Sequence, residues 1–213
     1  MKNFKTIWFL FFLLVFLKSN GQSLKKSFFK LSGPEKCWVI FHPFKAKRAF
    51  RISLEARKIS DSIKQTNLLD KDANGGQIDA FRHSYWMATL AQKIGRRSAK
   101  SLGRAHEKGN YRQYKKNKLE EGTIPDKKSS EMDLFNNNVG INIYRKNKKV
   151  SKKRYIELIL DKINQGKLKI LKKDNKGRYL DCNGSLLPKY EYYGKWENNK
   201  CLIPSIKGRK PPL

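Results

Sequence analysis

Acid is scarce in this chain. Eighteen Asp and Glu stand against 48 Lys and Arg, a formal net charge of +30 at pH 7. That imbalance points to polyanionic partners: nucleic acid, anionic lipid or anionic cell-wall polymers. Arginine is scarce too, at 12 of the 48 basic residues. Arg, more than Lys, carries specific recognition of phosphates and bases. The lysines are also spread along the chain and not set in a stripe with aromatics. No dedicated nucleic-acid binder is expected on either count. Cysteine is limited to Cys37, Cys182 and Cys201, and their spacing excludes a zinc-finger pattern. No apolar run reaches the ~20 residues that cross a bilayer core, and no internal repeat is present.

What is there begins with a leader. Lys2 and Lys5 precede an apolar run of eleven, Ile7 to Leu17, followed by Ser19, Asn20 and Gly21. This is the pattern of a secretory signal peptide over 1–21, cut after Gly21. The expectation is an exported protein, periplasmic or secreted, with no transmembrane segment in the mature chain. No cysteine follows closely enough for a lipid anchor. The leader holds Lys2, Lys5 and Lys18, so the mature 192 residues keep a charge of +27. In an oxidising compartment Cys182 and Cys201, which flank a loop-rich tail, are the expected disulfide, with Cys37 left over.

The mature chain has the length of one domain. Residues 22–46 read as a linker docked on the core, with His42 before Pro43 as a packing residue. Ile52, Ala56, Ile59 and Ile63 recur at helical spacing, so a helix starts near Lys47 and ends before Leu68. The run from Asp70 to Gly76 imitates the start of a calcium loop, but Phe81 stands where the bidentate Glu belongs. A helix-connecting turn is the simpler reading. Helices are expected over Gln77 to Ile94 and Ser98 to Lys108. A polar loop over 109–130 follows, then a helix opened by a Ser130–Asp133 capping pair. Ser151 to Asn164 is another helix. Residues 168–171 and 178–180 read as a hairpin around Asp174 to Gly177. The helical domain is thus 47–182 and an irregular basic tail 183–213. The fold class is mostly α: a compact multi-helix domain with a small C-terminal β-hairpin.

Histidine is as rare as cysteine, three in all, yet two of them sit in dense polar clusters. Asp79, Arg82 and His83 share one helix, with Asp79 one turn before His83, where a carboxylate can orient an imidazole. His106 and Glu107 are adjacent, and Asn110 excludes the H-E-x-x-H zinc-protease motif. Asp133 and Asn137 lie one turn apart, Asn137 inside the run Asn136-Asn137-Asn138. Consecutive asparagines are poor helix formers, so a buried polar network or a ligand must favour them.

The order N-G-x-x-D-A-F-R-H-x-x-W, then H-E, then M-D-x-x-N-N-x-x-G resembles an uncharacterised bacterial domain family, a domain of unknown function. The matching residues run from Asn74 through Asp79, Ala80, Phe81, Arg82, His83 and Trp86, then His106 and Glu107, to Met132, Asp133, Asn136, Asn137 and Gly140. Such domains occur in exported proteins and at the ends of toxin-like polyproteins. The resemblance implies a mostly helical fold and brings no reaction with it. Where the family often has Arg after that last glycine, this chain has Ile141.

Three functions compete. One is a metal-assisted hydrolase on an anionic envelope component. There His83, His106 and Asp133 would hold a divalent ion such as zinc, Asp79 would orient His83, Glu107 would be the base, and Asn137 would hold a substrate oxygen. Another is metal-free acid/base catalysis by Glu107 and Asp133. The third is a non-enzymatic envelope or binding protein, its motifs a structural network with Arg82 paired to Glu107 or Asp133. Nothing in the pattern sets an oligomeric state.

Overall fold

The computed structural model describes residues 21–119 and 122–207. The expected leader lies outside them, save Gly21. The chain divides into two units, Met1–Leu31 and Ser32–Leu213. Helix α1 (Gly21–Lys30) is the described part of the first. The second holds α2 (Gly33–Phe41), α3 (Pro43–Lys64), α4 (Gln77–Ile94), α5 (Arg96–Tyr114), α6 (Lys127–Lys146), α7 (Lys152–Asn164), β1 (Lys169–Leu171), α8 (Lys189–Tyr192) and β2 (Leu202–Pro204), then a 3₁₀ turn, Ser205–Lys207. The protein is mostly helical with a small antiparallel sheet near its C-terminus, as expected. No described helix is long and apolar enough to cross a membrane.

Helix α4 is the axis of the second unit. Its buried residues cover nearly every direction, from Ile78, Phe81 and Tyr85 to Met87, Leu90 and Ile94, the pattern of a helix enclosed by others. One core cluster joins Phe81 and Tyr85 to Leu69, Tyr155, Ile159, Ile163 and Leu168. Another joins Met87, Leu90 and Ile94 to Trp38, Ile52, Ala99 and Leu102. Polar bonds fix the register of the neighbours. Against antiparallel α3, Trp86 Nε1 donates to Ser53 Oγ at 2.9 Å and Tyr85 donates to Glu55 at 2.7 Å. Against parallel α6, Ser84 Oγ donates to the Asn136 carbonyl at 3.0 Å.

The α4–α6 crossing is unusually close because Gly140 has no side chain. A Cβ there would overlap the Ser84 carbonyl oxygen and lie 2.9 Å from both the carbonyl carbon and Cα of Ser84. Asn136 then ties the pair to the sheet: its Nδ2 donates to the Lys169 carbonyl at 2.9 Å, and its Oδ1 accepts from the Lys169 amide at 3.0 Å.

Several boundaries differ from expectation. Residues 22–46, expected as a linker, form α1, α2 and the first turn of α3. Ser32 and Glu35 make a reciprocal capping box at the start of α2, a signal present in Ser32-Gly-Pro-Glu35. Helix α5 continues to Tyr114, so the loop before α6 is shorter than 109–130. Asp126, not Ser130, caps α6, accepting from the Ser129 amide at 2.9 Å. Asp133 is therefore nearly two turns inside the helix, free of capping duty. The partner of β1 is β2, in the register Lys169↔Pro204, Ile170↔Ile203, Leu171↔Leu202. The expected hairpin survives as the isolated bridge Lys173↔Tyr179. The described part of the tail is ordered by the Cys182–Cys201 disulfide and by a buried ion pair, Lys200 Nζ to Asp126 Oδ2 at 2.5 Å. The Lys200 ammonium also lies 3.9 Å from the centre of the Tyr179 ring. Burial lowers the Lys200 pKa, against the pull of Asp126.

Helix α2 docks on α5 through three contacts. Ser32 packs on Gly109, where a Cβ would lie 2.7 Å from that of Ser32. Trp38 Nε1 donates to Ser101 Oγ at 2.8 Å. His106 Nδ1 meets Glu35 Oε1 at 3.0 Å. His42 packs as expected, its ring stacked on Trp38 at 4.5 Å between centroids.

Gly140→Ala should lower unfolding stability by about 2 kcal/mol, because the overlap with α4 outweighs alanine's better helix propensity. Asn138→Ala, at an exposed site on the same helix, should be near neutral; denaturant melts of the two variants check this. Glu35 gives a pH prediction. Burial opposes its ionisation, but the His106 bond and charge and the Ser32 contacts together hold its carboxyl below the ordinary 4.5. A depressed carboxylate pKa adds stability that is complete above pH 4.5 and lost as pH falls through the folded value. The advantage of wild type over Glu35→Gln in thermal melts should therefore shrink below pH 4.5.

Candidate functional site

The close α4–α6 crossing brings three ligating side chains together. Asp79 and His83 stand one turn apart on α4, and Asp133 faces them from α6. One donor atom from each lies within 4.8 Å of the other two, and all three residues are buried. His83 Nε2 is 3.5 Å from Asp79 Oδ1 and 3.4 Å from Asp133 Oδ1. The other ring nitrogen, Nδ1, faces Asn137 Oδ1 at 3.3 Å. A carbonyl oxygen accepts, so in this arrangement Nδ1 carries the proton and Nε2 presents its lone pair to two carboxylates. Burial lowers the His83 pKa well below 6.5, and the charges of Arg82, His106 and Arg57 lower it further. These influences favour the neutral imidazole, the form that can bind a metal ion.

Each partner is itself held. Asp79 Oδ2 accepts from the Gly75 amide at 2.7 Å, and its Oδ1 pairs with Arg82 Nη2 at 2.6 Å. Asn137 Nδ2 has no hydrogen-bond partner among the described residues and lies near Gly103 of α5, whose ideal Cβ would be 3.2 Å from it. Trp86 sets its ring edge to face against both His83, at 6.3 Å, and His106, at 5.6 Å.

Several expected roles shift. His106 does not join the cluster of donor atoms: its Nδ1 is engaged by Glu35, although its ring is 6.4 Å from that of His83. Asp79, expected to orient His83, is itself a member of the cluster. Orientation falls to Asn137, which was expected to hold substrate. Arg82 pairs with Asp79, a partner that the network reading did not name. Glu107 is buried on α5, one turn beyond Gly103, and accepts from Asn110 Nδ2 at 3.2 Å. Of the three asparagines, Asn136 serves the sheet, Asn137 serves His83 and Asn138 is exposed. Glu35 was missed, although its capping box was legible.

The loop that imitated a calcium site has a cation of its own. Lys173 Nζ lies 2.6 Å from Asp72 Oδ2 and 2.5 Å from the Asn74 carbonyl oxygen. Asp70 is taken up by backbone amides, its Oδ1 accepting from Asp72 at 2.9 Å and Gln77 at 3.0 Å. An ammonium thus stands among oxygens that a calcium loop would turn to its ion, and the turn reading fits.

Comparison with known proteins adds one finding. Neither the curated proteins nor the solved structures contain a match. A family model does match, that of DUF6973, a domain of unknown function, over residues 36–167. The matched range holds Asp79, Arg82, His83, His106, Glu107, Asp133 and Asn137, and it ends before β1. It covers more than half of the 213 residues, and the chain belongs to the DUF6973 family.

Proposed function

We propose that Asp79, His83 and Asp133 hold a divalent metal ion in an exported hydrolase that acts on an anionic envelope substrate. The observation that carries this reading is the convergence of a lone pair and two carboxylate oxygens in a buried place. Two carboxylate oxygens and an imidazole nitrogen gathered in a buried place favour a cation among them. Their spacing also suits an ion. A tetrahedral centre with bonds of about 2.0–2.1 Å separates its ligand atoms by about 3.3–3.4 Å, and His83 Nε2 is 3.4 and 3.5 Å from the two carboxylate oxygens.

In this reading Asn137 fixes the His83 tautomer and Arg82 steadies Asp79. A bound ion would supply Lewis-acid activation of water, and Glu107, buried on α5, would take the proton. His106 helps to hold His83 neutral and clamps α5 to α2. The Cys182–Cys201 bridge supports export, since such bonds persist in oxidising compartments.

A specific contact favours a second reading. Arg82 already supplies a positive charge 2.6 Å from Asp79 Oδ1. Turning the Asn137 amide over would let Nε2–H donate to the carboxylates with no ion at all. The cluster would then be a structural network in a non-enzymatic envelope or binding protein.

Metal analysis separates the two. The full chain, purified without chelator, should carry close to one equivalent of zinc or another transition ion by mass spectrometry. His83→Ala and Asp133→Asn should each lose it, and chelation should lower the wild-type melting temperature. No ion in the wild type, together with a stability loss of ~1–3 kcal/mol in His83→Ala, would overturn the metal centre in favour of the network.

A further inference from the structure

On the Arg82 side of the cluster lies a cleft of about 530 Å³ between the end of α3 and the loop before α4. Four cations from three segments line it: Arg57 and Lys64 from α3, Lys71 from the loop, and Arg82 from α4. Two carboxylates, Asp61 and Asp72, oppose them. Asp72 also pairs with Lys173 at 2.6 Å, and the four lining cations outnumber the two carboxylates. Arg82 belongs to both places, lining the cleft while its Nη2 holds Asp79.

We propose that this cleft binds the phosphate group of a small phosphate ester and holds it beside the Asp79–His83–Asp133 cluster. Guanidinium forks match phosphate oxygens in pairs, and ammonium groups add charge without strict geometry. The volume is that of a small-molecule site. No aromatic ring lines it, as a surface that stacks nucleic-acid bases would require. The placing of the bound ester for hydrolysis rests on the metal-centre reading; the binding itself does not.

The test uses the full chain and inorganic phosphate, titrated by calorimetry at fixed ionic strength. With so many positive charges, nonspecific attraction must be separated from a site. Lys64→Ala/Lys71→Ala removes two cleft charges. Lys148→Ala/Lys149→Ala removes two exposed charges at the far end of α4, where Gln92 reaches the Lys148 carbonyl. The first pair should weaken phosphate binding at least roughly tenfold, and the second should leave it unchanged. Asp133→Asn should lose zinc while keeping phosphate. Equal affinity in the two lysine pairs, or no binding by the wild type, would overturn the cleft as a phosphate site whatever the zinc result. Phosphate held in the cleft by a chain that binds no metal would uphold the cleft and remove the metal centre.

Discussion

The approach of α6 to α4 at Gly140 is the constraint on which the site depends. With no side chain between them, the two backbones come close enough for Ser84 to bond the Asn136 carbonyl. That bond sets a parallel register in which Asp79 faces Asp133 and His83 faces Asn137. Both pairings combine a residue of one helix with a residue of the other. Sliding α6 by one turn would set Asp79 against Asn137 or Ser129 and His83 against Ile141 or Asp133, and both pairings would be lost. The backbone contact therefore acts before any side chain in building the cluster.

Charge is placed with similar economy. The chain is strongly basic, yet its buried cations each have a carboxylate: Arg82 has Asp79, Lys173 has Asp72 and Lys200 has Asp126. Removing one partner of such a pair leaves the other desolvated, so these few acids matter far more than their number suggests. Asp126 has two duties, capping α6 with one oxygen and holding Lys200 with the other. The start of the helix that carries Asp133 is thereby joined to the disulfide-closed tail.

Much of this was legible in the sequence, and what was not has physical causes. Helix α4 was read to its ends because Gly76 and Gly95 break a long periodic pattern on both sides. Asp79, His83 and Asp133 lie together within motifs that the sequence singles out, because Asp, His and Asn at helical spacing advertise one polar face. His106 was misplaced because adjacency to Glu107 says nothing of which neighbour its ring will meet. That neighbour, Glu35, comes from a segment whose lysines and Pro34 suggested a linker. The α6 start was put four residues late because Ser130 and Asp126 both suit a cap, and only the Lys200 pairing distinguishes them. The strand partner of β1 lies some thirty residues away, beyond the reach of a turn signal. Asn137, and not only Asp79, meets the His83 ring, because local spacing does not tell which polar neighbours point at an imidazole.

Lys173 carries a consequence for the order in which the molecule assembles. Its ammonium completes the loop that leads into α4, but it lies 101 positions after Asp72. Lys173 reaches Asp72 and Asn74 only once the chain beyond α7 has been made and docked. A divalent ion would diffuse in at any moment; a tethered one arrives on the schedule of synthesis. A chain cut short after α7 would contain every residue of the cluster and lack Lys173 at the loop in front of it.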